Sequence, residues 1–120
     1  MRYENVKRGR FYKGYNKDSI GHPSLVISKN KYDHNILIVK FTKDGTFKYA
    51  EKEPLKVRID DNYPFKKECD KDGHPIKSYI IKHPFLVKSS DLRYIKKYEY
   101  FKVNKTDKYR VDVVKRRKAK

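Results

Sequence analysis

Two polar residues lie at the ends of apolar runs in this sequence and have the chemistry to act on a phosphate ester. His22 precedes Pro23 and the run 25–28, and Thr42 closes the run 36–41. Polar residues at strand ends are those that an antiparallel scaffold presents to a ligand. A histidine, with an ordinary pKa of about 6.5, exchanges protons near neutral pH, and a hydroxyl can donate to a phosphate oxygen. On a chain of net charge +17, the pair predicts a site that handles phosphate.

One reaction that such residues could carry out is RNA cleavage without a metal, which must remove a proton from the 2′-OH, neutralise the phosphate oxygens and protonate the departing 5′ oxygen. The products are a 2′,3′-cyclic phosphate and a 5′-OH, and DNA, which lacks the 2′-OH, could only bind. Two structural alternatives stay open, because His22 could hydrogen-bond its own loop and Thr42 could simply end a strand. We expect no metal and no cofactor. The other histidines lack metal-ligand spacing, and the single cysteine, Cys69, has no base near it in the sequence.

The strong positive charge points to a polyanionic partner. The chain has 32 Lys+Arg against 15 Asp+Glu and a net charge of +17. Nucleic acid is the first candidate, because each neutralised phosphate releases counterions; a lysine-rich proteome with solvated basic surfaces is the alternative. Candidate RNA- and phosphate-binding residues are Arg8, Arg10, Lys13, Lys40, Lys56 and Arg58. Aromatic residues that could stack on single-stranded bases are Phe11, Tyr12, Tyr15 and Tyr63.

The pattern of apolar runs and turns predicts a mainly β fold with one or two short helices, in a small, strongly bent antiparallel sheet or barrel. A single domain is expected over residues 1–114, followed by a basic tail over 115–120. Strands are predicted at 8–14, 25–28, 36–41, 55–59, 78–81 and 85–87. Ser89, Ser90 and Asp91 are predicted to cap a helix over 92–101, and 111–114 to form a last strand or a second short helix. Residues 60–75 are predicted to form a long loop.

Cysteine usage and hydropathy predict a cytoplasmic protein without membrane contact. One cysteine allows no disulfide within the chain, which fits a reducing compartment. The N-terminal residues have no apolar signal core, and no segment approaches the roughly 20 apolar residues that span a bilayer.

The order of these elements resembles the MazF/PemK family, the mRNA endoribonuclease toxins of toxin–antitoxin systems. The opening strand is Arg8-Gly9-Arg10-Phe11-Tyr12, and the second is Ile20-Gly21-His22-Pro23-Ser24-Leu25-Val26-Ile27-Ser28. A following apolar strand ends in Thr42, and late in the chain a strand over 78–87 precedes a Ser/Asp-capped helix over 90–101. The resemblance extends to about residue 103 and rests on the order of elements.

The resemblance implies an SH3-like barrel, cleavage of single-stranded RNA, a homodimer and a cognate antitoxin. The antitoxin would be a protein, or an RNA as in type III relatives that share the barrel. The family's catalytic threonine corresponds to Thr42, and its catalytic arginine to His22. Histidine replaces a permanent charge with a titratable proton carrier. Arg10 stands where the family commonly has an acidic residue.

Two further functions stay open. The chain could be a non-enzymatic basic barrel that binds RNA or DNA, either ribosome-associated or phage-encoded, with lysines alone providing the function. It could also be a phage- or plasmid-encoded protein that blocks an acidic protein surface. Indifference to His22 would distinguish the first from an enzyme, and competition by RNA would distinguish the second.

Overall fold

Seven short strands and one α-helix make up the described part of the chain. The computed structural model describes residues 1–14, 21–43, 55–57, 71–73, 78–103 and 105–119, with only the backbone of residues 42, 43, 55–57, 78 and 106. The strands are β1 (Phe11–Gly14), β2 (Pro23–Lys29), β3 (Ile36–Lys43), β4 (Leu55–Val57), β5 (Ser78–Ile80), β6 (Phe85–Val87) and β7 (Leu92–Arg93). The helix α1 spans Lys105–Lys115, and 3₁₀ turns occupy Tyr3–Asn5, Ser89–Asp91 and Lys96–Tyr100.

The strands form one antiparallel sheet around β3. Their order is β4-β5-β3-β2-β1-β7, and β6 also pairs with β3. β6 pairs with residues 36–38 of β3 and β5 with residues 41–43, so one side of the long strand has two successive partners. Among the described strands β4 and β7 lie at the two edges of this open sheet. The prediction of a mainly β fold is confirmed. None of the described helices has both the length and the apolar content needed to cross a membrane.

One face of the sheet is covered by the C-terminal elements. Burial of apolar side chains drives this packing. Val111 and Val114 lie one helical turn apart on α1, where they pack with Tyr98 against the strands. The buried members of this cluster are Phe11, Leu25, Val39, Phe41, Ile80, Tyr98, Val111 and Val114.

The other face changes from apolar to polar along β2 and β3. Val26 and its partner Ile38 belong to a second core cluster with Val6, Tyr12, Ile36, Val87 and Leu92. Two residues further along the same face, Ser24 is paired with Lys40, and both are buried. Strand alternation therefore places a lysine in line with the core, next to the end of the sheet where His22 lies.

The helix predicted over 92–101 is wrong. Leu92 and Arg93 form the edge strand β7 beside β1, and only Lys96–Tyr100 coil, as a 3₁₀ turn. Three-residue spacing of apolar side chains suits a 3₁₀ turn as well as an α-helix, and Leu92 is buried by pairing with Gly14 instead. The Asp91 carboxylate accepts a hydrogen bond from the Lys88 N–H at 2.9 Å and so closes the preceding turn.

The C-terminal segment follows one of its two predicted alternatives. Residues 111–114 lie in α1 and form no strand, because Val111 and Val114 are buried at helical spacing. The buried Asp107 carboxylate accepts a hydrogen bond from Arg110 at 2.9 Å within the same helix. Most of the loop predicted over 60–75 lies outside the described residues, as do the last two positions of the strand predicted over 55–59.

Candidate functional site

His22 is held where the ends of β1 and β2 come together. Gly21 has a φ of 79°, in the left-handed region that favours glycine, and its N–H donates to the Gly14 carbonyl at 3.1 Å. The Gly14 N–H donates to the His22 carbonyl at 2.9 Å, and the Ser24 hydroxyl donates to the same oxygen at 3.2 Å. The backbone of His22 is therefore fixed by both strands, and its imidazole is half-buried.

A lysine is buried beside this histidine. Lys40 is 1% exposed, and its Nζ lies 3.8 Å from the centroid of the Phe85 ring. Its carbonyl accepts a hydrogen bond from the Ile81 N–H at 2.9 Å, which fixes β3 against the chain between β5 and β6. Lysines are almost never fully buried, because removing the ammonium from water is costly. An ammonium that packs on an aromatic face in the core is therefore an unusual feature of this end of the sheet.

The surroundings of His22 favour its neutral form. Burial is the largest cause that lowers its pKa below the ordinary value of 6.5, and the positive charge of Lys40 lowers it further. A hydrogen bond with the backbone of Phe41 opposes both effects. A neutral imidazole at neutral pH accepts a proton, so the structure suits His22 to the role of a general base.

His22 and Thr42 lie just beyond the same end of the β2–β3 pairing. The last pair of that ladder is Ser24 with Lys40, and His22 precedes Ser24 by two residues while Thr42 follows Lys40 by two. Thr42 pairs with Tyr79 of β5, which in turn pairs with Lys56 of β4. Both predicted catalytic residues therefore lie at one end of the β2–β3 pair, together with Tyr79, which is half-buried.

This arrangement combines a proton acceptor, a nearby positive charge and a hydroxyl-bearing residue. Those are the groups that transfer of a phosphoryl ester to an internal hydroxyl requires. Among the described residues no group of three or more histidine, cysteine, aspartate or glutamate side chains is arranged to hold a metal ion.

The other predicted phosphate-binding residues are spread over the sheet. Lys13 is half-buried, and it is opposite Pro23, the residue that follows His22. Arg8 and Arg10 are exposed beside Val26, whose carbonyl accepts from Gly9 and whose N–H donates to Arg10. They lie about four residues, or roughly 13 Å, along β2 from His22. Lys56 is close in register to Thr42, and Arg58 lies outside the described residues.

The burial of Tyr12 and Lys40 bears on the roles predicted for them. The base-stacking role of Tyr12 needs correction, because its ring is 4% exposed and packs in the second core cluster. Its hydroxyl accepts from the Lys7 N–H at 2.9 Å and donates to the Asn5 carbonyl, so it ties the N-terminal segment to the sheet. Lys40 remains a prediction as a phosphate ligand, and its burial places its charge beside His22 and away from the surface. Tyr15 and Tyr63 lie outside the described residues.

Ser24, Phe85 and Tyr79 are site residues that the sequence interpretation missed. Ser24 lies two residues after His22, and this spacing predicts that the two side chains are on the same face of a strand. Phe85 follows the His83-Pro84 pair, and only the pairing of β6 with β3 brings it over Lys40. No sequence pattern encodes that pairing.

Comparison of the chain with family models, with curated proteins and with solved structures finds no match. The resemblance to the MazF/PemK family therefore rests on the residues and element order described above.

Proposed function

We propose that this chain is an endoribonuclease of the MazF/PemK toxin type that cleaves single-stranded RNA without a metal. The observation that supports it is the half-buried His22, fixed beside the buried ammonium of Lys40 at the end of the β2–β3 pair where Thr42 also lies. This position before Pro23 is the one that carries the catalytic arginine in that family. The proposal includes the SH3-like barrel, a homodimer, a cytoplasmic location and a cognate antitoxin of protein or RNA.

In this proposal neutral His22 takes the proton from the 2′-OH of the nucleotide preceding the scissile phosphate. The 2′ oxygen attacks phosphorus while the bond from phosphorus to the 5′ oxygen breaks. Water or the imidazolium formed in the first transfer returns a proton to the 5′ oxygen. Thr42 donates to a non-bridging oxygen, and the positive charge of Lys40 stabilises the negative charge that develops on the phosphate.

Lys40 has a second effect in this mechanism. Its charge opposes protonation of His22, which keeps the base available at neutral pH. The imidazole is therefore in its proton-accepting form at neutral pH and, once protonated, is a stronger acid toward the leaving group.

The test is incubation of the purified protein with a long single-stranded RNA in EDTA, followed by end-group analysis. We expect discrete fragments that end in a 2′,3′-cyclic phosphate and begin with a 5′-OH. Intact RNA, in the presence and in the absence of ribosomes, would contradict the proposal.

A non-enzymatic RNA- or DNA-binding barrel is the second candidate, and the net charge of +17 favours it. In that case RNA would be bound with steep salt dependence and without turnover, and replacement of His22 would have no effect on function.

A further inference from the structure

A groove at the far end of the β2–β3 pair from His22 has the features of a nucleic-acid binding surface. It has a volume of about 800 Å³, and Leu37 and Leu86, an antiparallel pair on β3 and β6, are among the residues that line it. The loop between β2 and β3 provides most of the other lining residues. The groove lies seven residues along β2 from His22, about 23 Å at about 3.3 Å per residue.

Aromatic rings and cations alternate around this groove. Tyr3 stacks on His34 with ring centroids 4.2 Å apart and an interplanar angle of 8°, and Lys29 Nζ lies 4.2 Å from the Tyr3 centroid. Tyr32 is 87% exposed, and Lys31 Nζ lies 5.3 Å from the centroid of its ring. Exposed rings beside cations are the arrangement on which single-stranded bases stack while their phosphates meet the positive charges.

The loop that presents these rings is ordered by its own hydrogen bonds. The Asn30 side-chain oxygen accepts from the Tyr32 N–H at 2.9 Å, and the Asp33 carboxylate accepts from the Asn35 N–H at 2.8 Å. The His34 N–H donates to the Asn30 carbonyl at 2.8 Å, and His34 has a φ of 59°. Such local bonds fix turn geometry. Binding would therefore cost little ordering of this backbone, which favours affinity.

The charges of the groove also suit a strand of nucleic acid. Arg8, Lys29 and Lys31 line it with a single carboxylate, that of Asp33, which already accepts the Asn35 N–H. Three cations with exposed Tyr32 and His34 fit a partner that has both anionic groups and flat rings, and an acidic peptide supplies only the first.

We propose that this groove, lined by Tyr3, Arg8, Lys29, Lys31 and Tyr32, with His34 stacked on Tyr3, binds single-stranded RNA outside the His22 site. RNA as the ligand comes from the proposed function, but the groove and its test do not require cleavage. The occupied groove would hold one segment of a long RNA while another segment reaches the far end of the sheet.

The test measures the affinity of a labelled single-stranded RNA made of 2′-O-methyl nucleotides, which no 2′-OH mechanism can cut, by fluorescence anisotropy. The groove variant is Lys31→Ala with Tyr32→Ala. The matched control is Lys108→Ala with Tyr109→Ala on α1, which removes the same charge and another exposed ring (72% exposed for Tyr109, 87% for Tyr32). All four side chains are exposed, so both variants should fold.

We expect the groove variant to raise the Kd about tenfold, because one base–aromatic contact contributes about 1–3 kcal/mol and one phosphate contact is lost as well. Tyr32→Phe should keep the wild-type Kd, because its ring still stacks. The control variant should change the Kd only by the loss of one distant charge.

Equal changes in the groove variant and in the control would overturn the groove proposal, as would competition by polyglutamate as effective as that by RNA. Because the RNA cannot be cut, this result does not depend on cleavage. Absence of RNA cleavage would overturn the proposed function and leave the groove in place.

Discussion

The two ends of the β2–β3 pair use positive charge in opposite ways. At the His22 end the cation is Lys40, which is 1% exposed and packs on Phe85. At the hairpin end Lys29 and Lys31 line an open groove beside Tyr3 and Tyr32. A buried charge acts strongly on a neighbouring group, because less water screens it, whereas exposed charges attract a polyanion and are weakened by salt.

This difference separates a site that can change the protonation of a group from a surface that can only bind. Burial and the charge of Lys40 lower the pKa of His22, whose half-buried imidazole is the proposed proton acceptor. The hairpin end has exposed rings and cations beside an open groove. We therefore expect substitutions at the two ends to affect different steps, cleavage at one end and RNA affinity at the other.

The largest expected effect is that of His22→Ala. Loss of a general base should reduce the cleavage rate by about 10²–10⁴-fold, while the Kd for uncleavable RNA stays at the wild-type value. Single-turnover cleavage and anisotropy measure the two quantities. His83→Ala is the matched control, since His83 is also half-buried and should leave the rate unchanged. A similar loss in both variants would show that the effect is structural.

A smaller loss is expected for Thr42→Val, which removes a hydroxyl and keeps the β-branched shape that suits β3. Loss of one donor to a phosphate oxygen should lower the cleavage rate by about 10²-fold, with thermal stability unchanged. Thr42→Ser should recover most of the rate. Full activity of Thr42→Val would remove the hydroxyl from the mechanism.

The groove variant with Lys31→Ala and Tyr32→Ala tests how the hairpin end of the β2–β3 pair affects RNA cleavage. We expect its cleavage of long RNA at low RNA concentration to fall about tenfold, following the Kd, and the loss to disappear at saturating RNA. Cleavage rates measured over a range of RNA concentrations give both parameters. A lower rate at saturation would mean that the hairpin end also affects the chemical step.

The smallest expected effect is on stability. The pKa of His22 in the folded chain lies below its ordinary value of 6.5. At a pH between the pKa of His22 in the folded chain and its pKa in the unfolded chain, the unfolded chain binds a proton that the folded chain does not. The free energy of unfolding therefore decreases as the pH falls below about 6.5. His22→Gln lacks this contribution. The Tm of the wild type should therefore fall more than that of His22→Gln between about pH 7 and about pH 5.5, and parallel Tm curves would contradict the pKa assigned to His22.

Sequence patterns predicted the strands that carry the His22 site, because their apolar runs are β-branched and bounded by turn residues. β2 and β3 span Pro23–Lys29 and Ile36–Lys43, which include the runs predicted at 25–28 and 36–41. The alternation of side chains along each strand limits the register of the pairing. Polar residues at the ends of two neighbouring strands are therefore expected at the same end of the sheet. The burial of Lys40 was not predictable, because it depends on the pairing of β6 with β3.

The hairpin groove was missed for a different reason. No sequence pattern distinguishes Tyr3, Tyr32 or His34 as binding residues, since none of them belongs to a predicted strand. The stack of Tyr3 on His34 joins residues far apart in the sequence and needs the fold to bring them together. Tyr12, by contrast, is predicted to stack on bases, but it lies in a predicted strand and its ring is buried.

The most direct measurement is the pH dependence of kcat/KM for RNA cleavage in EDTA, for the wild type and for Lys40→Met. Methionine is one heavy atom shorter than lysine and apolar, and its flexible side chain can pack on Phe85, so replacing the buried ammonium should not unfold the protein. We expect the wild-type rate to fall at acid pH with an apparent pKa below 6.5, and the Lys40→Met profile to move to higher pH, because the charge that lowers the pKa of His22 is gone. The same acid limb in both proteins, or no cleavage at any pH, would contradict the assignment of His22 as a base controlled by Lys40.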